Sequence, residues 1–172
     1  MNQDGTRTKG GVRSPGRALA ALLGATVIAL GVPACGGVSQ EDFAAEANEL
    51  CLEFSQWSAG REQAFRDALE SDDPGAAAAV LIAYERRFER VLRQIDSLEA
   101  PDGDEDRQAI DRFLTVGRQQ AALLPDLAAA VEAGDVEELE SLSAEGEELE
   151  AKLGRAARAY GLDDCAGGPA RA

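Results

Sequence analysis

The spacing of apolar side chains changes character near residue 39. Beyond it, apolar positions recur every three or four residues, the mark of helices that bury one face. In the first stretch they are Phe43, Ala47, Leu50, Phe54 and Trp57. Ser39-Gln40-Glu41-Asp42 precedes them, with a serine that can cap and acids suited to the positive helix end. Ala59-Gly60 is expected to interrupt this helix, leaving Arg61 to Glu70 as a further short piece. The second stretch opens on Asp73-Pro74, a cap followed by a residue pre-set for the first helical turn. Its seam is Ala77, Leu81, Tyr84, Phe88, Val91, Ile95 and Leu98, the clearest period in the chain. Ala100-Pro101-Asp102-Gly103 then predicts a turn.

A third helix is expected from about Asp104, with Ile110, Phe113, Leu114, Gly117, Ala121, Leu124, Ala128 and Val131 inward. Pro125 falls inside it and predicts a kink, because proline removes one backbone donor and crowds the preceding turn. Gly134-Asp135 ends this helix and caps the next, with Glu138 completing a capping-box pattern. The fourth seam is Leu139, Leu142, Gly146, Leu149, Leu153, Ala156 and Tyr160, and Gly161 fits a left-handed C-terminal cap. Lys152, Arg155 and Arg158 gather at the negative end of this helix. Four helices with short connections predict an all-α, up-down-up-down four-helix bundle over residues 40–166, with a disordered tail at 167–172. In that topology the tail after Tyr160 can fold back towards the first helix.

The first thirty-five residues follow another pattern. Arg7, Lys9, Arg13 and Arg17 precede an uncharged run from Ala18 to Ala34. A basic stretch, an apolar stretch and small residues make a secretory signal over 1–34. The run contains Gly24, Gly31 and Pro33, which is poor material for an uninterrupted membrane helix. An ordinary cleaved signal and an uncleaved helix are the alternatives. Val32-Pro33-Ala34-Cys35 resembles the lipobox of bacterial lipoproteins. That resemblance implies cleavage before Cys35 and a thioether-linked diacylglycerol on its sulfur. Two acyl chains give stable anchoring where one gives marginal binding. Residues 35–39 would be a lipidated tether reaching at most ~18 Å, so the bundle would stand close to the bilayer.

The chain has three cysteines, Cys35, Cys51 and Cys165. With Cys35 committed to lipid, the other two form a pair that an oxidising exterior would join. Two reactive thiols are the alternative, but no histidine or CxxC spacing is present to activate them. The helix pattern, a cysteine in the first helix and the closing Tyr160-Gly161-Leu162-Asp163-Asp164-Cys165 resemble small helical lipoproteins of high-GC Gram-positive (actinobacterial) bacteria. The resemblance implies fold and location over roughly 40 to 166, and no activity.

Charge and composition narrow the chemistry. There are 17 basic and 32 acidic residues, no histidine and a net charge of -15. Cleavage before Cys35 would remove four bases and one acid, taking the net to -18. Nucleic acid is excluded as an unaided partner, since phosphate contacts need a cationic surface. Without histidine there is no Ser-His-Asp triad, Cys-His pair or His-ligated metal. No catalytic residues, metal or cofactor are assigned, and an enzyme is not expected.

Four features remain as candidates. Asp102 to Asp106 is acidic, but an EF-hand loop would need a glycine at 107 and a glutamate at 113, where Arg107 and Phe113 stand. The glutamates of the fourth helix, from Glu137 to Glu150, read as a solvated face. Arg86, Arg90 and Arg93 form a basic stripe on the second helix. They either pair internally, as Glu89 with Arg93, or meet anionic headgroups or a cell-wall polymer. Gly117, Pro125 and Gly146 allow close helix packing, Gly146 lying against Ala121 and Ala122, or an apolar pocket. The expected function is a membrane-anchored, extracytoplasmic, non-enzymatic helical module that binds an envelope protein or polymer. A carrier or sensor of a small apolar ligand is the alternative.

Overall fold

The computed structural model describes residues 37–167, so the expected signal segment, Cys35 and the last five residues lie outside the described residues. What it describes is all-helical: α1 (Gln40–Glu70), α2 (Pro74–Asp96), α3 (Asp104–Ala133), α4 (Val136–Tyr160) and a short 3-10 turn, η1 (Asp163–Cys165), with no strand among the described residues. Helices α1 and α2, α2 and α3, and α3 and α4 pack together, and η1 lies across α1 and α4. No described helix is long and apolar enough to cross a membrane.

The helix boundaries follow local chemistry. Ser39 caps α1: the Asp42 N–H donates to its Oγ at 3.1 Å, and its own hydroxyl donates to Asp42 Oδ2 at 2.6 Å. Asp73 and Asp135 accept from the N–H groups of Ala76 and Glu138 at 2.9 and 3.1 Å, capping α2 and α4. The Asp135 N–H does not complete a capping box; it donates back to Ala130 O, closing α3 with Gly134 left-handed at φ 66°. Gly161 closes α4 the same way at φ 84°, with Leu162 N–H on Ala157 O and Gly161 N–H on Arg158 O. That turn drives Leu162 into the core, where it is fully buried.

One boundary departs from expectation. Helix α1 runs unbroken through Gly60. A mid-helix glycine costs roughly 1 kcal/mol against alanine, and one side-chain contact spans the site: the Arg61 guanidinium lies 5.3 Å from the Trp57 ring centre. Helix α3 holds Pro125 within its length, where the third seam placed it.

The core is one cluster: Phe43, Ala47 and Cys51 of α1, Val91, Leu92 and Ile95 of α2, Ile110, Phe113, Leu114 and Ala121 of α3, and Leu153, Ala157 and Tyr160 of α4. Leu162 and Ala166 of the returning tail complete it. The seams read from spacing supply most of these residues. Spacing missed Cys51 of α1, which it set at the edge of the seam, Leu92 of α2, and α4's Gly154 and Ala157, buried where Gly146 and Ala156 were expected. The returning tail covers a flank of α4 that periodicity alone leaves to solvent.

Candidate functional site

The tail is what shapes a site. The sulfurs of Cys51 and Cys165 are bonded at 2.05 Å, closing a loop of 114 residues. Such a loop is worth about 4–5 kcal/mol on the chain-entropy account. Asn48 of α1 holds the same tail with both ends of its amide: its Nδ2 donates to Gly161 O at 2.9 Å and its Oδ1 accepts from Asp164 N–H at 3.0 Å. Gln40 Nε2 donates to Tyr160 O at 3.2 Å, and Phe43 meets the Tyr160 ring edge-on at 6.0 Å. Gly154 lets η1 approach α4, since a Cβ there would stand 2.7 Å from Ala166 O.

Wedged in this way, α1 and α4 line opposite sides of a cleft of about 280 Å³. Phe54, Tyr84, Phe88, Val91, Leu92, Ile95 and Phe113 give it apolar walls. Phe54 stacks on Phe88 at 5.3 Å, meets Tyr84 edge-on at 5.0 Å and stacks on Trp57 at 5.9 Å. The disulfide forms part of the wall, and Ser55 and Ser58 enter from α1. Gln120 enters from α3, its Oε1 buried and without a hydrogen-bond partner. An orphaned buried acceptor costs on the order of 1–3 kcal/mol. Glu150 and Asp164 stand in the lining, exposed to solvent, and no lysine or arginine is among the described lining residues. Burial pushes the Tyr84 phenol up to about 12, helped by the nearby Glu150 and Glu62 carboxylates. Burial, with the Asp106 carboxylate adding to it, also pushes Tyr160 up to about 12.

The residues singled out from the sequence are distributed differently. Gly117 is packed shut: a Cβ there would meet Leu92 Cδ2 at 2.7 Å. Nothing lies within 4 Å of where a Gly146 Cβ would stand, so this glycine makes no small-on-small contact. Pro125 lines a shallow hollow with Ala78, Ile82 and Arg86 on the α2–α3 side. The three therefore build no common pocket; the cleft is lined by residues of all four helices and of the tail, and by none of these three. Arg86, Arg90 and Arg93 are exposed on α2. Arg93 pairs with Glu89 at 3.0 Å, whereas Arg86 and Arg90 have no ion pair among the described residues. No cluster of metal-ligating side chains occurs among the described residues. Sequence reasoning did not flag Gln120 and read Glu150 as part of a solvated face, where it also lines the cleft.

No family model, curated protein or solved structure matches the chain.

Proposed function

We propose that the chain is an exported lipoprotein whose helical body is a non-enzymatic binding module on the outer face of the cytoplasmic membrane, working through the α1–α4 cleft. The observation that carries this reading is the Cys51–Cys165 bond at the cleft wall. It consumes two of three cysteines, suits an oxidising compartment and leaves Cys35 single within Val32-Pro33-Ala34-Cys35. In this reading the helices run up-down-up-down, supported by short connections and by the contact of Gln40 with the end of α4. The cleft favours a carrier or sensor of a small ligand over a module that uses only its outer faces. Likeness to small actinobacterial lipoproteins rests on the terminal Tyr160–Cys165 motif and the helix pattern. Labelling cells with a palmitate analogue tests the anchor. The wild-type chain takes up label and stays with membranes, and Cys35→Ala loses both. Label retained on Cys35→Ala, or no label on the wild type, contradicts the reading.

A further inference from the structure

Starting from that binding module, the walls of the cleft specify what it binds. Its volume is about 280 Å³, and a 150 Å³ apolar cavity is about enough for benzene, so the cleft suits roughly ten non-hydrogen atoms. Phe54, Phe88 and Phe113 offer ring faces and edges to an apolar body. Glu150 and Asp164 add negative charge, with nothing cationic among the described lining residues to offset it. An apolar body with a carboxylate or phosphate head meets repulsion here, whereas a protonated nitrogen is attracted by the carboxylates and the ring faces together.

We propose that the cleft is a binding site for a small organic amine, with a compact apolar body against Phe54 and Phe88 and its N–H groups directed to Glu150. The charge of the cation is met by Glu150 and Asp164 in the lining. Binding is therefore weakened by salt, through the exposed carboxylates, and only partly so, because the aromatic contacts are unscreened.

Titration calorimetry of the oxidised chain with 2-phenylethylamine, 2-phenylethanol and phenylacetate tests this, since the three share a ring and differ in head group. The chain's single tryptophan, Trp57, stacks on Phe54 and reports occupancy by fluorescence. The amine binds at least tenfold more tightly than the alcohol, and phenylacetate does not bind measurably. Glu150→Gln weakens the amine roughly threefold and leaves the alcohol unchanged. Ser55→Phe fills the cleft and abolishes binding of all probes in a chain whose circular dichroism remains helical. Equal or tighter binding of phenylacetate or the alcohol overturns the amine assignment and leaves the cleft a binding site. Binding of no probe, or amine binding untouched by Ser55→Phe, overturns the cleft itself. Neither result bears on the Cys35 anchor, which palmitate labelling reads separately.

Discussion

Large side chains fill the stapled region of the molecule, and alanine fills the other. Around the disulfide, Phe43, Phe113, Leu92, Ile95, Tyr160 and Leu162 are buried together. Outside that cluster, the buried residues are Ala68, Ala77, Ala78, Ala128 and Ala130, with Leu142 and Leu149 the exceptions. There Leu69 remains 51% exposed and Val136 65% exposed. Alanine lets helices approach closely and is the best helix former, but it removes little apolar surface from water. The stapled region thus derives its stability from burial and cross-linking, the alanine region from helix propensity and caps. A cleft lined by aromatic rings can persist only where the surrounding packing is strong, and it lies on the stapled side.

The largest expected effect follows from this contrast. Phe113→Ala should destabilise by about 3–5 kcal/mol in urea melts, as a buried ring lost from a packed core does, whereas Ala128→Gly should cost only about 1 kcal/mol. Equal losses at the two sites would dissolve the contrast. Next in size, Gly154→Ala should cost about 1–3 kcal/mol, because its Cβ would meet the backbone oxygen of Ala166 at 2.7 Å and must displace η1. Gly146→Ala should instead stabilise by about 0.5–1 kcal/mol, having open space and a helical backbone. The pair separates a glycine required for close approach from one that only weakens its helix.

Alkaline pH provides the gentlest probe. Tyr84 and Tyr160 have folded-state values raised from 10.0 to about 12 by burial. A raised value means that the folded chain holds the phenolic proton more tightly. The stability so gained is fully present below pH 10 and is lost as pH rises from 10 towards 12. Melting temperatures should therefore fall across that window, and Tyr84→Phe should blunt the fall. A flat profile to pH 12 would contradict burial as the cause.

Much of this organisation was legible in the sequence. The caps at Ser39, Asp73 and Asp135 and the glycine stops at Gly134 and Gly161 are local events, settled by a side chain and the nearest few backbone groups. The α2 seam was legible in part: Ala77, Val91 and Ile95 are buried as spacing predicts, whereas Leu81, Tyr84, Phe88 and Leu98 are half-buried and Leu92, off that seam, is buried. The Cys51–Cys165 pair followed from parity once Cys35 was assigned to lipid. Continuity through Gly60 was not legible, since the contact across the glycine, Arg61 over Trp57, exists only once the helix is formed. The cleft was not legible either. Its existence depends on how far η1 separates α1 from α4, and the helical period of α4 says nothing about the tail that buries Gly154. Glu150 reads as one more solvated glutamate until the tail and α1 are placed opposite it.

The central claim, that the α1–α4 cleft is where this protein binds its ligand, is tested most directly by nuclear magnetic resonance of the isotopically labelled, oxidised chain during addition of 2-phenylethylamine. The account predicts saturable shifts concentrated on the Phe54 and Phe88 rings and the backbone around Glu150. Shifts confined to the Arg86–Arg93 face of α2, or none at Phe54 and Glu150 under saturating amine, would contradict it.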